Sequence, residues 1–136
     1  MEEPLHREIL EDHSCSPSHQ SSLERPTEES LWTSPKTGNS CSVSICSEDE
    51  RIGQIQAKAQ GSALAVASAS LMASSVVGLA HGDAFSLAES VIGFLEKGKE
   101  VVLPGDLVVY ESIARFPERH DCAMLVWRAL LLALEP

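Results

Sequence analysis

Hydrophobic and polar positions are distributed unevenly along this chain, and the break falls near residue 51. Before it the sequence is acidic and serine-rich. After it comes an alanine-, leucine- and valine-rich stretch with few charges. In the second part, Leu87, Ala88, Val91, Ile92 and Leu95 recur at helical spacing. Ser86 and Glu89 supply an S-x-x-E capping box, and Lys97 with Gly98 supplies a helix end. A helix over about 86–98 follows. A last helix is predicted from about Glu118 to Leu134, with Pro117 suited to its first position. Ala123, Met124, Leu125, Val126, Trp127, Ala129, Leu130, Leu131, Leu132 and Leu134 surround its axis, and Arg128 is the sole charge in that run. A helix apolar on every side must be covered on every side.

The run Ala59 to Ala80 holds 22 residues without a charge. That is long enough to cross a bilayer. Its many serines and glycines argue instead for a small-residue helix packed closely by neighbours, and a membrane segment over 59–80 stands as the alternative. Residues 101–110 read either as a hairpin around Pro104-Gly105 or as a helix capped by Asp106 that runs through Tyr110, Ile113, Ala114 and Phe116. The helix is preferred, because a lone hairpin needs a third strand or a cover.

Residues 14–47 carry eleven serines with Pro17, Pro26 and Pro35 and almost no apolar periodicity. Such composition predicts disorder. Ahead of it, Leu5, Ile9 and Leu10 form one side of a helical turn or two, too short to stand alone in water. The expected architecture is therefore all-α: a disordered acidic tail over 1–50 and a bundle of three or four helices over 51–136.

The stretch Leu103 to Leu134 resembles a single armadillo or HEAT-type helical repeat. It has a Pro-Gly start, a first helix ending in Arg115-Phe116-Pro117, a polar corner Glu118-Arg119-His120-Asp121, and a second helix carrying Trp127, Ala129 and Leu130. The resemblance implies protein binding, though stacked repeats need about three units and this chain has room for two at most.

Charge narrows the function classes. Residues 1–50 hold eleven acidic and three basic side chains, so most of the formal net charge of −10 lies there. Backbone phosphates are bound by clustered Lys and Arg, which are absent, and nucleic acid is excluded as a direct ligand. The N-terminus lacks the basic and apolar regions of a secretory signal, so the four cysteines are expected reduced and the chain intracellular, in cytoplasm or nucleus.

Candidate chemistry is sparse. His13, Cys15, His19, Cys41 and Cys46 could ligate zinc, but H-x-C and C-x4-C across a 21-residue gap are not zinc spacings. His120, Asp121 and Cys122 invite a Cys-His nucleophile, yet residues i and i+2 on a helix face different ways. His81-Gly82-Asp83 reads as a turn. Ser16, Ser34 and Ser47 are candidate phosphoacceptors, the first two before proline and the third before Glu48-Asp49-Glu50. Val43-Ser44-Ile45-Cys46 with that acidic flank resembles peptides that add an edge strand to small modifier proteins. The reading is a non-enzymatic interaction or regulatory protein without cofactor. It would bind a protein partner or itself through Leu125, Trp127, Leu130 and Leu131, with the tail tuned by phosphorylation.

Overall fold

The computed structural model describes residues 4–135, and it is a mixed α/β domain rather than an all-α one. Helix α1 (Pro4–Cys15) leads into three strands, β1 (Glu28–Thr33), β2 (Ser40–Glu48) and β3 (Arg51–Gln60). Helices α2 (Ala63–Val76) and α3 (His81–Lys97) follow. A 3-10 turn over Gly105–Val109 then runs into the short α4 (Tyr110–Ile113), and α5 (Pro117–Leu134) closes the fold. The strands form an antiparallel meander in the order β1-β2-β3.

The stretch expected to be disordered supplies two of the three strands. Its serines alternate with apolar residues, so Cys41, Val43 and Ile45 of β2 point inward and are fully buried while Ser42 and Ser44 take the other face. Period two puts every second side chain on one side of a sheet. Val43 pairs with Ala57 and Ile45 with Ile55 on β3. Asp49 and Glu50, both at positive φ (51° and 61°), make the two-residue hairpin turn that returns the chain. The strand Val43-Ser44-Ile45-Cys46 is thus the sheet's own centre.

The uncharged run 59–80 divides into the end of β3, the helix α2 and a bend. Among the described residues no helix is long and apolar enough to cross a membrane. Ser62 caps α2 by accepting the amide of Ala65 (3.1 Å). Helix α3 starts at His81, five positions before the capping box, and ends at Gly98, whose left-handed φ of 66° releases the chain. Residues 103–134 do not form the helix pair of an armadillo or HEAT repeat, because a 3-10 turn and a single helical turn precede α5.

Helix α5 is buried over most of its surface by the protein itself, packing against β1, β2, α2, α3 and α4, and Leu132 is left exposed. Leu125, Trp127 and Leu130 are buried in that core and Leu131 is half-buried. A polar chain runs through it: Trp127 Nε1 donates to Tyr110 Oη (2.9 Å), Tyr110 bonds Ser68 Oγ (2.6 Å), and Ser68 donates to the Ala123 carbonyl (2.8 Å). Every buried hydrogen-bonding atom of this set is satisfied, which is what lets polar groups sit in a core. Helix α1 docks through serine–imidazole bonds, His6 to Ser112 and His13 to Ser70 (both 2.7 Å).

Burial pushes the Cys41 thiol and the Tyr110 phenol up to about 12, from 9.0 and 10.0. Between pH 9 and 12 the unfolded chain therefore releases protons that the folded chain keeps. Stability should fall as the pH rises through that window. Urea titrations at stepped pH would show it, and a flat midpoint from pH 8 to 11 would contradict the burial of both groups.

Candidate functional site

At one end of the sheet three distant segments meet: the β1–β2 connection, the β3–α2 junction and the beginning of α5. Ser34, just past β1, organises the connection. Its Oγ accepts the amides of Lys36 (3.1 Å) and Thr37 (3.3 Å), while its hydroxyl donates to Asp121 Oδ2 (2.6 Å). Thr37 Oγ1 donates to the same carboxylate oxygen (3.3 Å). The backbone closes with Ser34 N–H to the Asn39 carbonyl (2.8 Å) and Gly38 N–H to the Ser34 carbonyl (2.9 Å).

Asn39 links this turn to the thiol. Its Nδ2 donates to Cys122 Sγ at 3.5 Å. The side chain lies against Gly61, where a Cβ would come within 2.0 Å of Asn39 Oδ1 and where φ is +132°. Only glycine leaves room there and adopts that backbone without strain. Cys122 is half-buried, so its sulfur is held by the protein and still accessible. The arrangement sets one thiol beside an amide donor and near a carboxylate already occupied by two hydroxyls. That is a site for the chemistry of a single sulfur atom.

Of the residues singled out from sequence, Asp121 and Cys122 lie here, while His120 turns away and donates from Nε2 to the Ala114 carbonyl (2.9 Å). Ser34 lies here too, 2% exposed and committed to Asp121. Ser47 sits in β2, donating to the Glu28 carboxylate and lying 2.8 Å from His81 Nε2. Ser16 is exposed just after α1. Thr37, Asn39 and Gly61 do not form a set in the sequence, because Asn39 and Gly61 lie 22 positions apart and Asn39 and Cys122 lie 83 apart. The local signals were there: a Thr-Gly-Asn turn and a glycine directly before a serine N-cap.

The fold and this thiol-bearing end define a small α/β domain built on an antiparallel meander, with its chemistry at a loop-and-helix tip. The sequence pattern of the NifU-like N-terminal domain matches residues 5–135, and the chain belongs to that family. It is 27% identical to the iron-sulfur cluster assembly scaffold protein IscU of Streptococcus pyogenes serotype M1, over 96% of this chain and 83% of that protein. It is 24% identical to the zinc-dependent sulfurtransferase SufU of Bacillus subtilis, over 93% of this chain and 86% of that one. Among solved structures, FiSufU of Fervidobacterium islandicum AW-1 superposes with a TM-score of 0.86 at 19% identity, covering 94% of this chain and 95% of that one. A NifU-like N-terminal domain of Brucella abortus superposes with a TM-score of 0.80 at 19% identity, covering 93% and 88%.

These findings overturn the helical-repeat resemblance and, with it, the reading of a generic interaction protein. The membrane alternative falls with the division of 59–80 described above. They also raise a chemical question, since iron-sulfur clusters are held by several cysteine thiolates and zinc by about four nitrogen, sulfur or oxygen donors. The described residues do not fit either group. Cys15 lies at the end of α1, Cys41 in the core, and Cys46 bonds the Arg25 carbonyl (3.5 Å), so Cys122 is the only thiol of the tip. No group of three or more His, Cys, Asp and Glu able to hold a metal occurs among the described residues.

Proposed function

We propose that this chain serves iron-sulfur cluster assembly as a scaffold-type protein that handles sulfur through the Cys122 thiol. The observation that carries this is the position of Cys122, half-buried and hydrogen-bonded to Asn39 at the tip of a NifU-like N-terminal domain. Two relatives named for cluster assembly and for sulfur transfer support the assignment of sulfur chemistry.

The step is thiol exchange. The Cys122 thiolate attacks the outer sulfur of a cysteine persulfide on a donor protein, forming a Cys122 S–S bond. The donor's own S–S bond breaks and its cysteine leaves as a thiolate, so no external oxidant or reductant is needed. The thiolate is the reactive form of a cysteine, and the Asn39 amide N–H is aimed at that sulfur. The chain is loaded once and must be unloaded by another protein, so on its own it is not a turnover enzyme. Its partner is thus a protein carrying a persulfide. Four free cysteines suit an intracellular setting in which thiols stay reduced.

Sulfur-35 tests the proposal. Incubating the full chain with a cysteine desulfurase and labelled cysteine should leave about one reductant-releasable sulfur per chain, one for the one tip thiol. A chain that stays unlabelled beside an active donor would contradict it.

A further inference from the structure

We infer that the tip of this chain works without zinc and without a resident cluster, with the Asn39 amide, rather than a metal, holding the Cys122 sulfur in position. The inference rests on the sulfur-handling role proposed above and goes beyond it, since one relative is named as zinc-dependent.

The donor set carries the argument. Zinc needs about four ligands at roughly 2.0 to 2.3 Å. The tip offers one thiol and one carboxylate. One oxygen of that carboxylate, Asp121 Oδ2, already accepts the hydroxyls of Ser34 (2.6 Å) and Thr37 (3.3 Å). The sulfur accepts a hydrogen bond from Asn39 Nδ2 at 3.5 Å, a nitrogen that presents hydrogens and has no lone pair to give. His120, the nearest imidazole in sequence, is tied to the Ala114 carbonyl. Hydrogen bonds within the tip thus already engage the sulfur and one carboxylate oxygen, and two donors fall short of a zinc ligand set.

A metal beside a thiol performs two tasks: it fixes the sulfur's position and it stabilises the thiolate. Asn39 performs the first of them here. Packing against Gly61 fixes its side chain, because only the absence of a Cβ at Gly61 allows the approach. The fixed amide then aims a donor at Sγ, which sets the direction the sulfur faces. Asn39 is a positioning residue, and Gly61 is the reason it stays in place.

The test uses the full chain, zinc alone as the metal probe, and a small aromatic disulfide as the thiol probe. Equilibrium dialysis should find far less than one zinc per chain, and neither zinc nor a chelator should move the melting temperature or the sulfur-35 loading. Asn39→Leu and Asn39→Asp are both near the native size. Each should fold with a melting temperature close to that of the wild type and slow the reaction at Cys122 about tenfold, the scale of a hydrogen bond to a charged group. A purely packing role would spare both variants. One zinc per chain, lost in Cys122→Ser, would overturn the inference, as would an Asn39→Asp chain that reacts like the wild type. Zinc uptake with sulfur loading intact would sink only this inference, whereas absence of both would sink only the sulfur role.

Discussion

Replacing Trp127 with alanine should lower the stability of the folded chain by about 3–5 kcal/mol. Trp127 is fully buried, packs edge-on to Tyr110 with ring centroids 6.4 Å apart, and donates its indole N–H to Tyr110 Oη. The truncation removes the largest side chain of the core and leaves a cavity beside Tyr110. It also strips Tyr110 of one hydrogen-bond partner, leaving its bond to Ser68. A domain of this size has only about 5–15 kcal/mol to lose. In urea the midpoint should fall steeply with an unchanged slope, and Trp127→Phe should recover most of the loss by restoring ring volume without the N–H. A drop below about 1 kcal/mol for the alanine variant would mean that the side chain is not packed as described.

Cys122→Ser should reduce transferred sulfur to background, while Cys15→Ser and Cys46→Ser should load like the wild type. The serine hydroxyl is nearly isosteric with the thiol and can still accept from Asn39, so the fold and the tip should persist. What it cannot do is ionise near neutral pH and attack a persulfide. Cys15 is more exposed than Cys122, so exposure alone would assign the sulfur to Cys15. The expected selectivity therefore separates a built site from simple accessibility. Loading that survives in Cys122→Ser and disappears in Cys15→Ser would reverse the assignment.

The helices were the legible part of this sequence. The period of Leu87, Val91, Ile92 and Leu95 placed most of α3, and Pro117 with the apolar run after it placed α5. The apolar surface of α5 does call for cover, most of which comes from the sheet and neighbouring helices, while Leu132 stays exposed. The sheet was hidden because serine fills the outward positions of β2, so a strand with a fully buried face reads as a polar tract. The 22-residue uncharged run concealed a boundary, since the end of β3 and the start of α2 are both built from small residues. Without the strands, the small helical domain invited comparison with a repeat.

The site was illegible for a different reason. Its parts lie at residues 34–39, 61 and 121–122, and no local spacing rule joins them. The triplet His120-Asp121-Cys122 is visible in the sequence but argues against a Cys-His nucleophile, because His120 and Cys122 face different ways on a helix. The residue that gives Cys122 its setting is Asn39, brought alongside by a turn whose Ser34 had been read only as a phosphoacceptor. Tertiary contact, not sequence adjacency, made the chemistry.

The most direct measurement is to react the full chain with a persulfide-loaded donor protein, alkylate it, digest it and locate the added sulfur by peptide mass spectrometry. The account predicts one extra sulfur on the peptide containing Cys122, and none on those containing Cys15, Cys41 or Cys46. Sulfur found only on Cys15, or on no cysteine at all, would contradict it.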